Sequence, residues 1–167
     1  KVFQPTSAQV AVICLNTSTI EDHYGVYPDL FEYLVSVTAT LTDHYFNQGY
    51  QVGFMSNGSF AHSHRPISIP PGRSMKQLSV LLEALAGITP MFSIPFEKYI
   101  MREMPKVHYG ASLLIISAVT PPVLLETLAR LKRHNREITL LSLAEQPPKA
   151  IAGLDVVHRP YQHRGGA

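Results

Sequence analysis

The stretch from Ala8 to Asp22, A-Q-V-A-V-I-C-L-N-T-S-T-I-E-D, constrains this chain more than any other. An unbroken aliphatic run, Val10 to Leu15, stops abruptly at Asn16, Thr17, Ser18 and Thr19, ahead of Glu21 and Asp22. A run without polar alternation predicts a strand covered on both faces, the condition of parallel strands sandwiched by helices. In doubly wound sheets ligands bind beyond the carboxyl ends of such strands. The polar cluster after Leu15 therefore stands where a site belongs.

The rest of the chain supplies partners for that strand. Pro28 and Asp29 open a helix, with proline tolerated in the first turn and the carboxylate favourable at the positive end of the dipole. Leu30, Phe31, Leu34, Val35, Thr38, Leu41 and Tyr45 form its stripe, and Gly49 is its left-handed cap. Gln51 to Met55 is the second strand. Ser56-Asn57-Gly58-Ser59 carries a tight hairpin signal, which predicts an antiparallel edge strand within Phe60 to Ile69, closed by Pro70-Pro71-Gly72. Ser74 and Gln77 fit a capping box before a helix with the stripe Leu78, Leu81, Leu82 and Leu85, ended by Gly87. Pro95 to Met104 reads as a short amphipathic helix, and Ser112 to Ile116 as another buried strand ending in Ser117 and Ala118. A helix from Thr120-Pro121-Pro122 turns Leu124, Leu125, Leu128 and Leu131 inward, its last-turn cations Lys132, Arg133 and His134 suiting the negative dipole end. Ile138 to Leu143 and Leu154 to His158 complete the strands.

Strands alternating with helices at this spacing predict βαβ units with right-handed crossovers. The expected fold class is α/β: a three-layer sandwich around a mostly parallel sheet with one antiparallel edge strand. No linker divides the chain, so one domain is expected over residues 1–167, with its core at about 8–160. At this length a domain buries roughly 70% of the surface of its unfolded chain, and 46% apolar against 16% charged residues is globular composition.

Composition also narrows function. A formal charge of +2 leaves no electrostatic footprint for nucleic acid or an anionic membrane. The single cysteine, Cys14, excludes an internal disulfide and reads as a small buried hydrophobe, matching a reducing, cytoplasmic setting. No apolar run reaches the ~18 to 20 residues that span a bilayer. The chain starts at Lys1 without methionine, so a fragment of a longer protein is expected, with membrane anchoring upstream left open; Gly165, Gly166 and Ala167 read as a tail.

The order and spacing of these segments carry a resemblance. N-T-S-T after the first strand, Q-G-Y-Q-V-G-F-M, I-P-P-G-R-S-M-K-Q-L before L-L-E-A-L-A, and L-L-I-I-S-A-V-T before a leucine-rich helix span Gln9 to Leu143. The chain resembles a von Willebrand factor type A domain, in particular that of the prokaryotic family carrying domain of unknown function fifty-eight. The resemblance implies a partner, a MoxR-type AAA+ ATPase, and a parent protein often bearing membrane helices. It also implies the place of a divalent-metal site, built in that family from an Asp-x-Ser-x-Ser motif, a threonine and a later aspartate. Here those positions fall on Asn16, Ser18 and Ile20, near Ser93, and on Ala118.

Magnesium needs oxygen ligands in near-octahedral geometry, commonly with carboxylate charge. Asn16 keeps an oxygen but not the charge, while Ile20 and Ala118 offer no oxygen. The site is therefore expected to be degenerate and metal-free, with no cofactor, although Glu21 and Asp22 stand close enough in sequence to rebuild it. The plain alternative for Asn16, Thr17 and Ser18 is a polar cluster satisfying backbone groups at a helix start. His62-x-His64 would put two imidazoles on one strand face, too few ligands for a transition metal. No phosphate loop, dinucleotide fingerprint, nucleophile elbow or zinc-protease motif occurs.

The favoured reading is a non-catalytic protein-interaction or scaffolding domain that uses this rim, with Glu21, Asp22, Tyr24, Tyr27 and Ser117 as candidates for partner contact. Tyrosine suits that role because it offers large contact area with a polar tip. The alternative is a divergent enzyme or small-ligand binder in the same crevice, its polar groups supplied by Asn16, Ser18, Glu21, Asp22 and Ser117.

Overall fold

The structure is a computed structural model that describes residues 9–21 and 25–162. Asp22, Tyr24 and the glycine tail lie outside the described residues. The strands are β1 (Val10–Leu15), β2 (Gln51–Ser56), β3 (Ser59–Phe60), β4 (Ile67–Gly72), β5 (Ile88–Thr89), β6 (Ser112–Ser117), β7 (Glu137–Ser142) and β8 (Asp155–His158). The helices are α1 (Pro28–Asn47), α2 (Met75–Gly87), α3 (Phe96–Glu103) and α4 (Pro122–Arg133), with one 3₁₀ turn, Met104–Lys106, after α3.

Six strands form one sheet in the order β4-β2-β1-β6-β7-β8, parallel except for the antiparallel edge strand β4. β1 lies inside, between β2 and β6, and its alternate side chains feed two cores. Val12 and Cys14 join Tyr99, Ile100, Leu124 and Leu128 of α3 and α4 on one face. Ile13 and Leu15 join Leu30, Leu34 and Leu81 of α1 and α2 on the other. The aliphatic run is unbroken because both faces are covered. Truncating a fully buried leucine of this kind costs about 2–5 kcal/mol, so the register of β1 is held firmly.

α1 ends as its sequence predicts: Gly49 has φ +88° and its N–H donates to the Phe46 carbonyl at 3.0 Å. Ser74 caps α2, accepting from the Gln77 N–H at 3.2 Å. Gln77 does not return that bond. Its side-chain amide instead donates to the carbonyls of Val52 (2.9 Å) and Pro70 (2.8 Å), fastening α2 to β2 and β4. On α2 the exposed Leu82 leaves the expected stripe and Ala84 takes its place against the core.

The predicted hairpin at Ser56 to Ser59 does not form. The chain passes instead into β3, which pairs with β5 in a separate two-stranded ribbon, and returns beside β2 only at Ile67. Asn57 is buried and turned inward, and Gly58 has no positive φ. Glycine stands there because a Cβ would meet Thr17 Cγ2 at 2.7 Å and the Thr89 carbonyl at 2.8 Å. Pro70 and Pro71 lie inside β4 rather than after it, tolerated because the strand is an edge and its register shifts opposite Val52 and Phe54. His62 and His64 are not on a strand; His62 occupies a turn with φ +64°.

Candidate functional site

Adjacent parallel strands end side by side, so the residues after β1 and β6 meet on one rim. The Asn16 backbone N–H extends the ladder by donating to the Ile116 carbonyl at 3.0 Å. Its side-chain amide donates to Ser117 Oγ at 3.0 Å, and its Oδ1 accepts from the Ser18 N–H at 3.1 Å. Ser117 Oγ also accepts from the Val119 N–H and donates to the Val119 carbonyl, which fills the one donor and two acceptor sites of a hydroxyl. Both side chains are buried.

β2 contributes a brace from the other side. Asn57 Oδ1 accepts from the Thr17 N–H at 3.2 Å, and Asn57 Nδ2 donates to the Ile94 carbonyl at 3.4 Å. Ser56 Oγ donates to the Leu15 carbonyl at 2.8 Å, and Thr19 Oγ1 accepts from the Tyr27 N–H at 2.9 Å where α1 begins. The cluster after β1 thus satisfies backbone and neighbouring polar groups on every side.

A cleft of about 260 Å³ opens over this network. Asn16, Ser18, Ile20 and Glu21 line one wall. Phe96 and Glu97 come from the first turn of α3, Val119 and Pro121 from the β6–α4 connection, and Val123 from the first turn of α4. Ser117 sits beneath. Ala118 faces a neighbouring hollow instead, with Thr19, Tyr27, Leu30 and Glu145. Ser93 is exposed, outside the lining of both, and donates to the His64 carbonyl at 3.2 Å.

No protein-family model matches the sequence, and no curated protein does. Among solved structures the chain is similar to the crystal structure of the SpRpn10 VWA domain, with a TM-score of 0.60 and 15% identity, over 92% of this chain and 89% of that one. The fold is von Willebrand factor type A-like. At this identity the likeness is one of architecture, and the chemistry must come from the residues of this rim.

Among the described residues of this VWA-like rim, Asn16 Oδ1 accepts from the Ser18 N–H, the Ser18 hydroxyl and the Glu21 and Glu97 carboxylates line the cleft, and Ile20 brings no oxygen. Among the described residues no group of three or more His, Cys, Asp or Glu side chains is arranged to hold a metal ion. A serine and a histidine do meet nearby, Ser142 Oγ lying 3.2 Å from His158 Nδ1 at the ends of β7 and β8. Ser142 is fully buried and its oxygen also accepts from the Ala144 N–H, so the hydroxyl faces no space a substrate could enter.

Asn57, Glu97 and Val123 belong to the rim without having been singled out from the sequence. Asn57 carried a usable signal, since it follows the end of a buried parallel strand just as Asn16 does. Glu97 and Val123 carried none, because only the fold brings the first turns of α3 and α4 beside β1.

Proposed function

We propose that this chain is a non-catalytic protein-interaction domain that engages its partner through the rim without a metal ion. The observation that carries the proposal is the Asn16 side chain, whose amide is committed to Ser117 and whose oxygen is committed to Ser18. The assignment of its nitrogen follows from the network: Ser117 Oγ spends its proton on the Val119 carbonyl and must accept from Asn16. Where the type A family has an aspartate facing a cation, this chain has a neutral side chain that bridges Ser117 and Ser18. The Ser18 hydroxyl and the Glu21 and Glu97 carboxylates also stand on the rim, and in this reading they face a partner's side chains and not a cation.

The exposed apolar surface around the rim supports a protein partner: Val123 is 49% and Tyr27 52% exposed. A cleft of about 260 Å³ admits one or two side chains and is smaller than the roughly 300–1,000 Å³ of small-molecule sites. A size suited to a partner's side chain supports the interaction reading, and the buried Ser142 hydroxyl gives the alternative, an enzyme or small-ligand binder, no accessible nucleophile at the ends of β7 and β8. Membership of the prokaryotic family, and with it a MoxR-type AAA+ ATPase as partner and a membrane-anchored parent, rests on the sequence resemblance from Gln9 to Leu143. A cytoplasmic setting belongs to the same proposal; among the described residues no helix is long and apolar enough to cross a membrane.

A thermal melt in chelator, then with magnesium, manganese or calcium at millimolar concentration, tests the metal-free rim. A native-state ligand at a hundred times its dissociation constant adds about 2.7 kcal/mol, a shift of several degrees for a domain of this size. No shift is expected. A clear shift that Asn16→Ala and Glu21→Ala abolish would overturn the reading.

A further inference from the structure

We propose that the rim cleft receives a basic side chain of the partner, an arginine before a lysine. The inference rests on the reading of the rim as an interaction surface and adds the chemistry of what it takes.

The lining is polarised in a way the whole chain is not. The molecule carries a formal charge of +2, yet among the described residues the cleft is lined by two carboxylates, Glu21 and Glu97, and by no lysine, arginine or histidine. Among the described residues the ion pairs are Arg102 with Glu103, Lys106 with Glu103, and Lys132 with Asp155; neither cleft glutamate takes part in one. Glu97 is half-buried in the first turn of α3, where the helix dipole favours its charge. Around these carboxylates the walls are apolar, formed by Ile20, Phe96, Val119 and Val123.

Such a hollow is complementary to a cation on an apolar stem. Arginine fits better than lysine because its guanidinium is more weakly hydrated, packs flat on apolar surface and forks toward carboxylate oxygens. The polarity is the reverse of a site that captures a partner's carboxylate through a bound metal.

The test is a titration of the ¹⁵N-labelled chain, in chelator, with acetyl-Leu-Arg-amide and its lysine, citrulline, leucine and glutamate counterparts, the glutamate probe being repeated with magnesium. Signals of Ser18, Glu21, Glu97 and Val123 should move with the arginine probe. Citrulline, which keeps the shape and loses the charge, should bind about fivefold more weakly, the scale of a half-exposed charge pair. The isosteric double variant Glu21→Gln, Glu97→Gln should lose a similar factor for arginine while keeping an unchanged melt. Equal binding of citrulline and arginine, or no movement of these signals with any probe, overturns the inference and leaves the metal-free rim standing. Binding of the glutamate probe only with magnesium overturns both.

Discussion

The Asn16 side-chain amide donates to Ser117 Oγ at 3.0 Å, closing the ends of neighbouring strands β1 and β6 across 101 positions of sequence. Leaving a buried polar group unsatisfied costs about 1–3 kcal/mol. Asn16→Ala is therefore expected to lower stability by about 2 kcal/mol, since it strips the Ser18 N–H of its acceptor as well. Ser117→Ala should cost a comparable amount by stranding the Asn16 amide and the Val119 N–H. Urea unfolding of both single variants and the double should show the double costing less than the sum, because the two share one network.

Gly58 is needed for a close approach rather than for a turn. Gly58→Ala places a methyl against the Thr89 carbonyl at 2.8 Å, and a loss of about 2 kcal/mol is expected. Asparagine, which a left-handed turn position would accept, should be worse than alanine here. If Gly58→Asn matched the wild-type urea midpoint, the close-approach account would be wrong.

Arg136 clamps the segment that leads from α3 into β6. Its guanidinium donates to the carbonyls of Val107 (2.8 Å), His108 (3.1 Å) and Met104 (2.9 Å), and it lies 4.0 Å from the centre of the Tyr109 ring. A lysine ammonium cannot reproduce that planar fork. Arg136→Lys should destabilise the domain by on the order of 2 kcal/mol, read as a lowered melting midpoint, and hydrogen exchange should rise first at residues 104–111.

Alkaline pH should weaken the fold through groups buried in their neutral forms. Burial pushes up the Cys14 thiol, and it pushes up the Tyr99 phenol, whose hydroxyl donates to the Ile67 carbonyl at 2.9 Å. Below about pH 7.5 both states keep these protons and no slope arises; above it the unfolded chain releases first the Cys14 proton and, from about pH 9, the Tyr99 proton, both of which the native chain holds, so stability falls as pH rises. Each group contributes at most about 1.4 kcal/mol per pH unit. Urea midpoints between pH 8 and 11 should decline, and Tyr99→Phe should decline less steeply from a lower start. In the same range Cys14 should react with a thiol reagent only after unfolding.

Much of this molecule was legible in local pattern. The aliphatic runs of β1, β6 and β7, the stripe of α4, the Ser74 cap and the Gly49 terminus each report a contact within a few residues, or a two-sided burial that leaves no polar alternation. The prolines of β4 and the Asn57-Gly58 pair were misleading for one reason: each has a common local use, and a tertiary contact gave it another. Asn57 turned inward to Thr17 and Ile94, and Gly58 made room for the ribbon strand β5.

The rim divides in the same way. That Asn16, Ser18 and Ser117 would stand at carboxyl ends of parallel strands followed from the order of elements alone, because short connections and right-handed crossovers leave few topologies. Which of them share a cleft was decided by packing. Ala118 is next to Ser117 in the chain yet faces the hollow beside Tyr27, since successive residues leaving a strand point to opposite sides. Glu97 and Val123 joined Glu21 only when α3 and α4 docked on the face of the sheet that Val12 and Cys14 line. The sequence by itself determined the layers and the edge of the sheet where a site would lie. The charge and walls of that site came from tertiary structure, because they belong to segments far apart in the chain that only burial of the shared core brings together.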